Sequence, residues 1–289
     1  RMIKHEIQKI IHNKAYLIAL VFLLCYATYS AYVSISLYQD ELILRSQYSR
    51  DNMGYLTEDV NMYSINLFSQ WLGGKMGYSF APTFFFFLLP IISVLPYGLS
   101  FYSERKSGYL RHLVTRSKKR SYLCAKYISG FLSGFSLYFI SLGVNILLVA
   151  AFIPAYTPDP TESALAGIYP EQFLSSVFFR HPAIHMISYY LIECIFAGLW
   201  STIPLALTFM IKNRYAILFA PFICLLFITN VFDLLLYFRV YIETSPFFFI
   251  RGASIRNPNS LVVIVIWFLV IFLFTFTVTL WKGSKDDVF

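Results

Sequence analysis

The chain has 289 residues, of which 58% are hydrophobic and only 13% charged, about half the charged share of an ordinary soluble domain. With a mean hydropathy of +0.63, this excludes a typical soluble enzyme and places the chain in the membrane class. The formal net charge of +8 does not point to nucleic acid, because the cations are distributed as a membrane topology requires.

The first stretch, Met2 to Lys14, places Ile3, Ile7, Ile10 and Ile11 on one helical face with Lys4 and Lys9 off it. This spacing predicts an amphipathic helix lying on a membrane surface. Crossing the hydrocarbon core takes about 20 apolar residues in a helix. Six segments qualify, at about residues 15–37, 80–102, 123–153, 185–211, 215–238 and 261–281. The expected fold is therefore all-α, a single polytopic membrane domain over residues 1–289. The first apolar run is too long for the core of a cleavable signal peptide, and no small-residue cleavage site follows it.

Lys and Arg set the orientation. Sixteen fall before the first segment, between the second and third, between the fourth and fifth, and after the sixth; seven fall on the other side. The richer side is expected to be cytoplasmic, with both termini inside. The connection of residues 38–79 has room for a small helical cap, and Trp71, Gly73 and Gly74 predict a turn near its end. The connection of residues 154–184 is rich in Pro. The connection between segments five and six carries Ser245-Pro246 followed by Phe247, Phe248, Phe249 and Ile250, too apolar for a plain loop.

Four residues inside the segments are polar: Asn145, Glu193, Asn230 and Asp233. All fall in the outer halves, and buried polar groups in a membrane usually face the bundle interior or water. They are candidates for a substrate path; helix–helix hydrogen bonding is the alternative. Gly130 and Gly134 form a GxxxG pair that permits close helix approach. Cys25, Cys124, Cys194 and Cys224 have neither metal-ligand nor disulfide spacing. His181 and His185 stand four apart beside Pro182 and are not read as a metal site.

The most informative stretch is Ser103 to Lys126. Leu110, Leu113 and Val114 form an apolar stripe among cations. The stretch also carries Glu104-Arg105, Gly108, Thr115-Arg116-Ser117, Arg120, Tyr122 and Lys126 in that order. In this it resembles the type-2 ABC transporter permeases, the membrane subunits of ABC exporters. The resemblance implies that this element is a cytoplasmic coupling helix contacting a separate ABC ATPase, through Glu104, Arg105, Gly108, Leu110, Arg111, Leu113, Val114 and Arg116. It implies an interfacial helix before the first span, with Glu6 and Lys9 at matching places, and a Pro-containing re-entrant element at Ser245–Ile250. It also implies a second permease copy, identical or not, with segments one, two and five at the interface and central path.

The expected function is thus export of a hydrophobic or amphipathic substrate, such as a drug, antimicrobial peptide or lipid-like molecule, from a bacterial plasma membrane. No GxxxxGK[ST] occurs, so the chain is not expected to bind ATP by a P-loop; ATP and Mg belong to the partner. HExxH and GxSxG are also absent. This chain is expected to be no enzyme and to carry no cofactor of its own, with membrane lipid around it. An intramembrane enzyme would need paired catalytic groups, for which only Glu193 and Asp233 qualify. A secondary transporter would more often show an internal repeat, and none is detected.

Overall fold

The computed structural model describes residues 2–51, 65–75, 80–108, 119–160, 167–236, 241–253 and 257–285. The chain is a polytopic, all-helical membrane protein, and no strand occurs among the described residues. It opens with α1 (Met2–Ile11), whose Ile10 and Glu6 face inward while Ile11 stays exposed. Asn13 interrupts the helix, its side chain accepting from Ala15 N at 2.9 Å. Helix α2 (Lys14–Asp51) then runs 38 residues, about 57 Å at 1.5 Å per residue. That is well beyond what a bilayer core needs. It continues past residue 37 because Gln39, Asp40, Glu41, Leu42 and Leu44 include neither Gly nor Pro to stop it.

After the short α3 (Leu67–Gln70), a turn at Leu72–Gly74 is closed by Gly74 N donating to Trp71 O at 3.1 Å. The second expected span is not one helix. It breaks into α4 (Phe80–Phe87), α5 (Leu89–Ile92), a run of turns and α6 (Ser100–Lys106). Pro90 and Pro96 account for the break: neither has an N–H to donate, and each disfavours helical geometry in the residue before it.

The long helices that follow are α7 (Lys119–Phe152), α9 (Pro182–Leu207), α10 (Arg214–Leu236) and α12 (Leu261–Thr277). Between them lie α8 (Ser175–Arg180) and α11 (Pro246–Phe249). Beyond α12 a π turn, Val278–Lys282, leads into α13 (Gly283–Lys285). Among the described residues five helices are long and apolar enough to cross a membrane: α2, α7, α9, α10 and α12 with its continuation.

Helix α9 is the hub. In its most apolar stretch 67% of the residues are buried, against 17% for α10 and for α12. It packs along α7, where Ser201 Oγ donates to Gly130 O at 2.5 Å and a Cβ on Gly134 would meet Ala197 O at 2.4 Å. At Gly134 only hydrogen lets the two helices approach so closely, whereas a Cβ on Gly130 would come no nearer than 3.7 Å to a neighbour. Phe85, Phe86, Tyr138, Phe196 and Phe249 fill the centre, with edge-on rings at 5.2 to 5.5 Å. The outward faces of α2 and α10 leave Ile18, Val21, Phe219, Ile223 and Phe227 exposed.

Candidate functional site: a buried charge cluster at the basic end of the bundle

The basic end of the bundle gathers α1, α6 and the start of α7. Helical spacing on α1 sets Glu6 and Lys9 one turn apart, the turns after Pro96 carry Tyr97, and α6 opens with Ser100. Lys126 enters from α7 and is fully buried. Its ammonium lies 2.9 Å from Glu6 Oε2 and 2.8 Å from Glu104 Oε1, and donates to Ser100 Oγ at 3.0 Å. Lys9 Nζ closes the ring at 3.4 Å from Glu6 and 3.1 Å from Glu104. The Tyr97 hydroxyl donates to Glu6 and the Tyr122 hydroxyl to Glu104. The Lys126 ammonium also sits 4.8 Å from the Tyr97 ring centroid.

Two carboxylates and two ammonium groups balance, so the charge is buried as a neutral set. Burial alone would raise the Glu6 carboxyl. The Lys126 charge, the donors Tyr97 and Lys126, and Lys9 outweigh it and hold the group below the ordinary value of 4.5. The arrangement has no vacant nucleophile or general base. It ties α1, α6 and the start of α7 into one corner. A cleft of about 450 Å³ opens beside it, lined in part by Lys9, Asn13, Pro96, Ser103 and Glu104.

The other residues assigned to coupling divide in two. Arg105 Nη1 donates to Thr208 O at 3.0 Å, and its guanidinium lies 5.9 Å from the Phe209 ring, so it joins α6 to the end of α9. Gly108 has φ +74°, a left-handed conformation that favours glycine and ends α6. Leu110, Arg111, Leu113, Val114 and Arg116 lie outside the described residues. Glu104 faces inward to Lys126, Lys9 and Tyr122.

The polar residues of the far end have separate surroundings. Asn145 is wholly buried, with both amide groups used: Oδ1 accepts from Leu72 N at 2.9 Å and Nδ2 donates to Ala27 O at 2.9 Å. It pins α2, α7 and the turn after α3 together. Glu193 is also wholly buried and packs on that turn, where a Cβ on Gly73 would come within 2.0 Å of its Oε1. Among the described residues neither carboxylate oxygen has a hydrogen-bond partner, and Arg251 interacts with it electrostatically. Asn230 lies on the exposed side of α10, its Nδ2 donating to Leu226 O at 2.7 Å. The side chain of Asp233 is outside the description. The structure therefore brings Asn145 and Glu193 to one turn and leaves Asn230 apart.

Arg251 was visible in the sequence only as one more loop cation. It is buried, donates to Lys75 O at 2.8 Å, and accepts at its own carbonyl from Asn259 at 2.8 Å. Burial lowers its guanidinium to about 10, with Glu193 pulling the other way. Gly252 N donates to Gly73 O at 2.8 Å, so the 71–75 turn and the 251–253 segment form a plug over α9. Lys75 is held by Ser34 Oγ at 3.2 Å, and burial lowers its ammonium. No signal in the sequence pairs residues about 180 positions apart. Tyr97 was likewise hidden, as one of 22 tyrosines.

Comparison with known proteins adds no relative: no family model, no curated protein and no solved structure matches this chain.

Proposed function

We propose that this chain is the permease subunit of an ATP-driven ABC exporter, working with a separate ATPase and a second permease copy. The observation that carries this reading is the Glu6–Lys9–Glu104–Lys126 cluster. It joins an amphipathic helix, the end of a broken span and the start of the next, at the root of the stretch expected to meet the ATPase. Force applied to residues 109–118 would enter a corner that cannot deform locally without separating buried charges. The neighbouring cleft, about 450 Å³ in size, gives a partner's element access to that corner. In this reading the basic end is cytoplasmic, in a bacterial plasma membrane, and ATP and Mg are held by the partner.

The exposed apolar faces of α2 and α10 support pairing with a second copy. The substrate class consistent with the aromatic interior is hydrophobic or amphipathic: a drug, an antimicrobial peptide or a lipid-like molecule. The test is a pair of variants, Glu104→Ala and Leu113→Asp, each examined for ATPase binding, ATP turnover and transport. Normal insertion with lost binding or uncoupled hydrolysis supports the proposal. Normal binding and transport in both variants overturns the coupling role.

A further inference from the structure

A second cleft at the basic end lies where one span finishes and the next begins. It has a volume of about 360 Å³, within the range of small-ligand sites. Its walls are the end of α6 and the turn after α9, and they carry Tyr102, Arg105, Lys106, Phe209, Met210 and Lys212. Three of these are cations, and among the described residues no Asp or Glu lines the cleft. The nearest acid in sequence, Glu104, is turned to the opposite side of α6, where Lys126 and Lys9 engage it. Arg105 is engaged with Thr208 O and the Phe209 ring, which leaves Lys106 and Lys212 as the cations at the rim.

The cleft is also held open by its own bonds. Arg105 is fixed by Thr208 O, and the Tyr102 hydroxyl donates to Lys212 O at 2.8 Å. Lys106 and Lys212 are exposed at the rim. Met210 beside them is 54% exposed, so an apolar surface adjoins the cations. Leu207 ends one membrane-crossing helix and Arg214 begins the next, which sets the rim at the level of a lipid headgroup.

We propose that this cleft binds the phosphodiester headgroup of an anionic phospholipid, with Lys106 and Lys212 on the phosphate and Met210 against the acyl end. A soluble anion would share the phosphate contacts. The position at the membrane boundary and the adjoining apolar surface favour a lipid. Each cation near a headgroup is worth about fivefold in affinity, so removing two should weaken binding about 25-fold. The inference does not depend on the exporter reading.

The test uses the full chain, purified without any ATPase in a neutral detergent. Phosphatidylglycerol and phosphatidylcholine are titrated separately, with bound lipid read by native mass spectrometry and stability by melting. The expected result is retention of phosphatidylglycerol over phosphatidylcholine. That preference should be lost in Lys106→Gln/Lys212→Gln but kept in Lys282→Gln/Lys285→Gln, which removes equal charge from the same end. Equal retention of the two lipids by the unaltered chain overturns the proposal, as does equal loss in both variants. Inorganic phosphate that displaces the lipid or stabilises equally well makes the cleft a general anion site and also overturns it. So does normal retention of phosphatidylglycerol by Lys106→Gln/Lys212→Gln.

Discussion

Replacing Lys126 by Met keeps the length and apolar stem of the side chain and removes its charge. The ammonium it deletes contacts Glu6 at 2.9 Å, Glu104 at 2.8 Å and Ser100 at 3.0 Å. Two carboxylates would then share one ammonium, that of Lys9, at 3.4 and 3.1 Å. The Lys9 side chain is 34% exposed, so its field is partly screened and compensates poorly. Removing one partner of a buried ion pair costs about 3–5 kcal/mol. At about 2–4 °C per kcal/mol, the melting temperature should fall by about 10 °C. Adding Glu104→Gln leaves Glu6 with Lys9 and restores neutrality, so the double variant should recover most of that loss. The assay is thermal unfolding of the solubilised chain, with the two single variants and the double completing a cycle. A Lys126→Met protein melting within about 1 °C of the unaltered chain, or a double variant no more stable than Lys126→Met, would refute the account of the cluster.

Acid should loosen the same corner. The Glu6 carboxyl lies below its ordinary 4.5, so its contribution is complete above that pH and is lost as pH falls through the lower, folded value. A melting profile that drops below about pH 4.5 and is flattened by Glu6→Gln checks this. Asn145→Leu deletes a donor and an acceptor used by Ala27 and Leu72, leaving the Leu72 N–H buried without its partner. The expected cost is about 1–3 kcal/mol, with faster hydrogen exchange at Leu72 and the adjoining turn as the local readout. Gly73→Ala would drive a methyl group to 2.0 Å from Glu193 Oε1 and 2.4 Å from the Trp71 ring. Overpacking of this kind costs about 1–3 kcal/mol, and melting of that variant against the unaltered chain and Gly130→Ala, whose added methyl would come no closer than 3.7 Å to a neighbour, measures it.

The membrane-crossing helices were legible because length and apolarity decide them, and tertiary packing has little to override. Their ends were not. Helix α2 runs on to Asp51 because nothing in residues 38–51 stops it, whereas the expected span stopped where the apolar run stopped. The second span was expected whole, and Pro90 and Pro96 break it into separate short helices. The turn at Trp71–Gly74 was readable from its glycines, and Ser245 caps α11 with its hydroxyl accepting from Phe247 N at 3.3 Å. In the charge cluster, the sequence pointed to Glu6, Lys9, Glu104 and Lys126 one at a time. It could not place together groups separated by as many as about 120 positions, because that placement is made by α1 folding back beneath α7. Arg251 and Lys75 were hidden for the same reason: a buried cation and a loop cation look alike until the chain is folded.

The central claim is that this chain is a permease driven by another subunit's ATP hydrolysis. The most direct measurement is affinity purification of the full chain from its native membranes in a mild detergent. The eluate is then reconstituted and assayed for ATP turnover. The account predicts a copurifying subunit with a phosphate-binding loop, turnover that depends on that subunit, and its loss from the eluate with Leu113→Asp. ATP hydrolysis by the chain freed of every partner would contradict the account. So would stoichiometric purification with no ATPase subunit under conditions that preserve its native assembly.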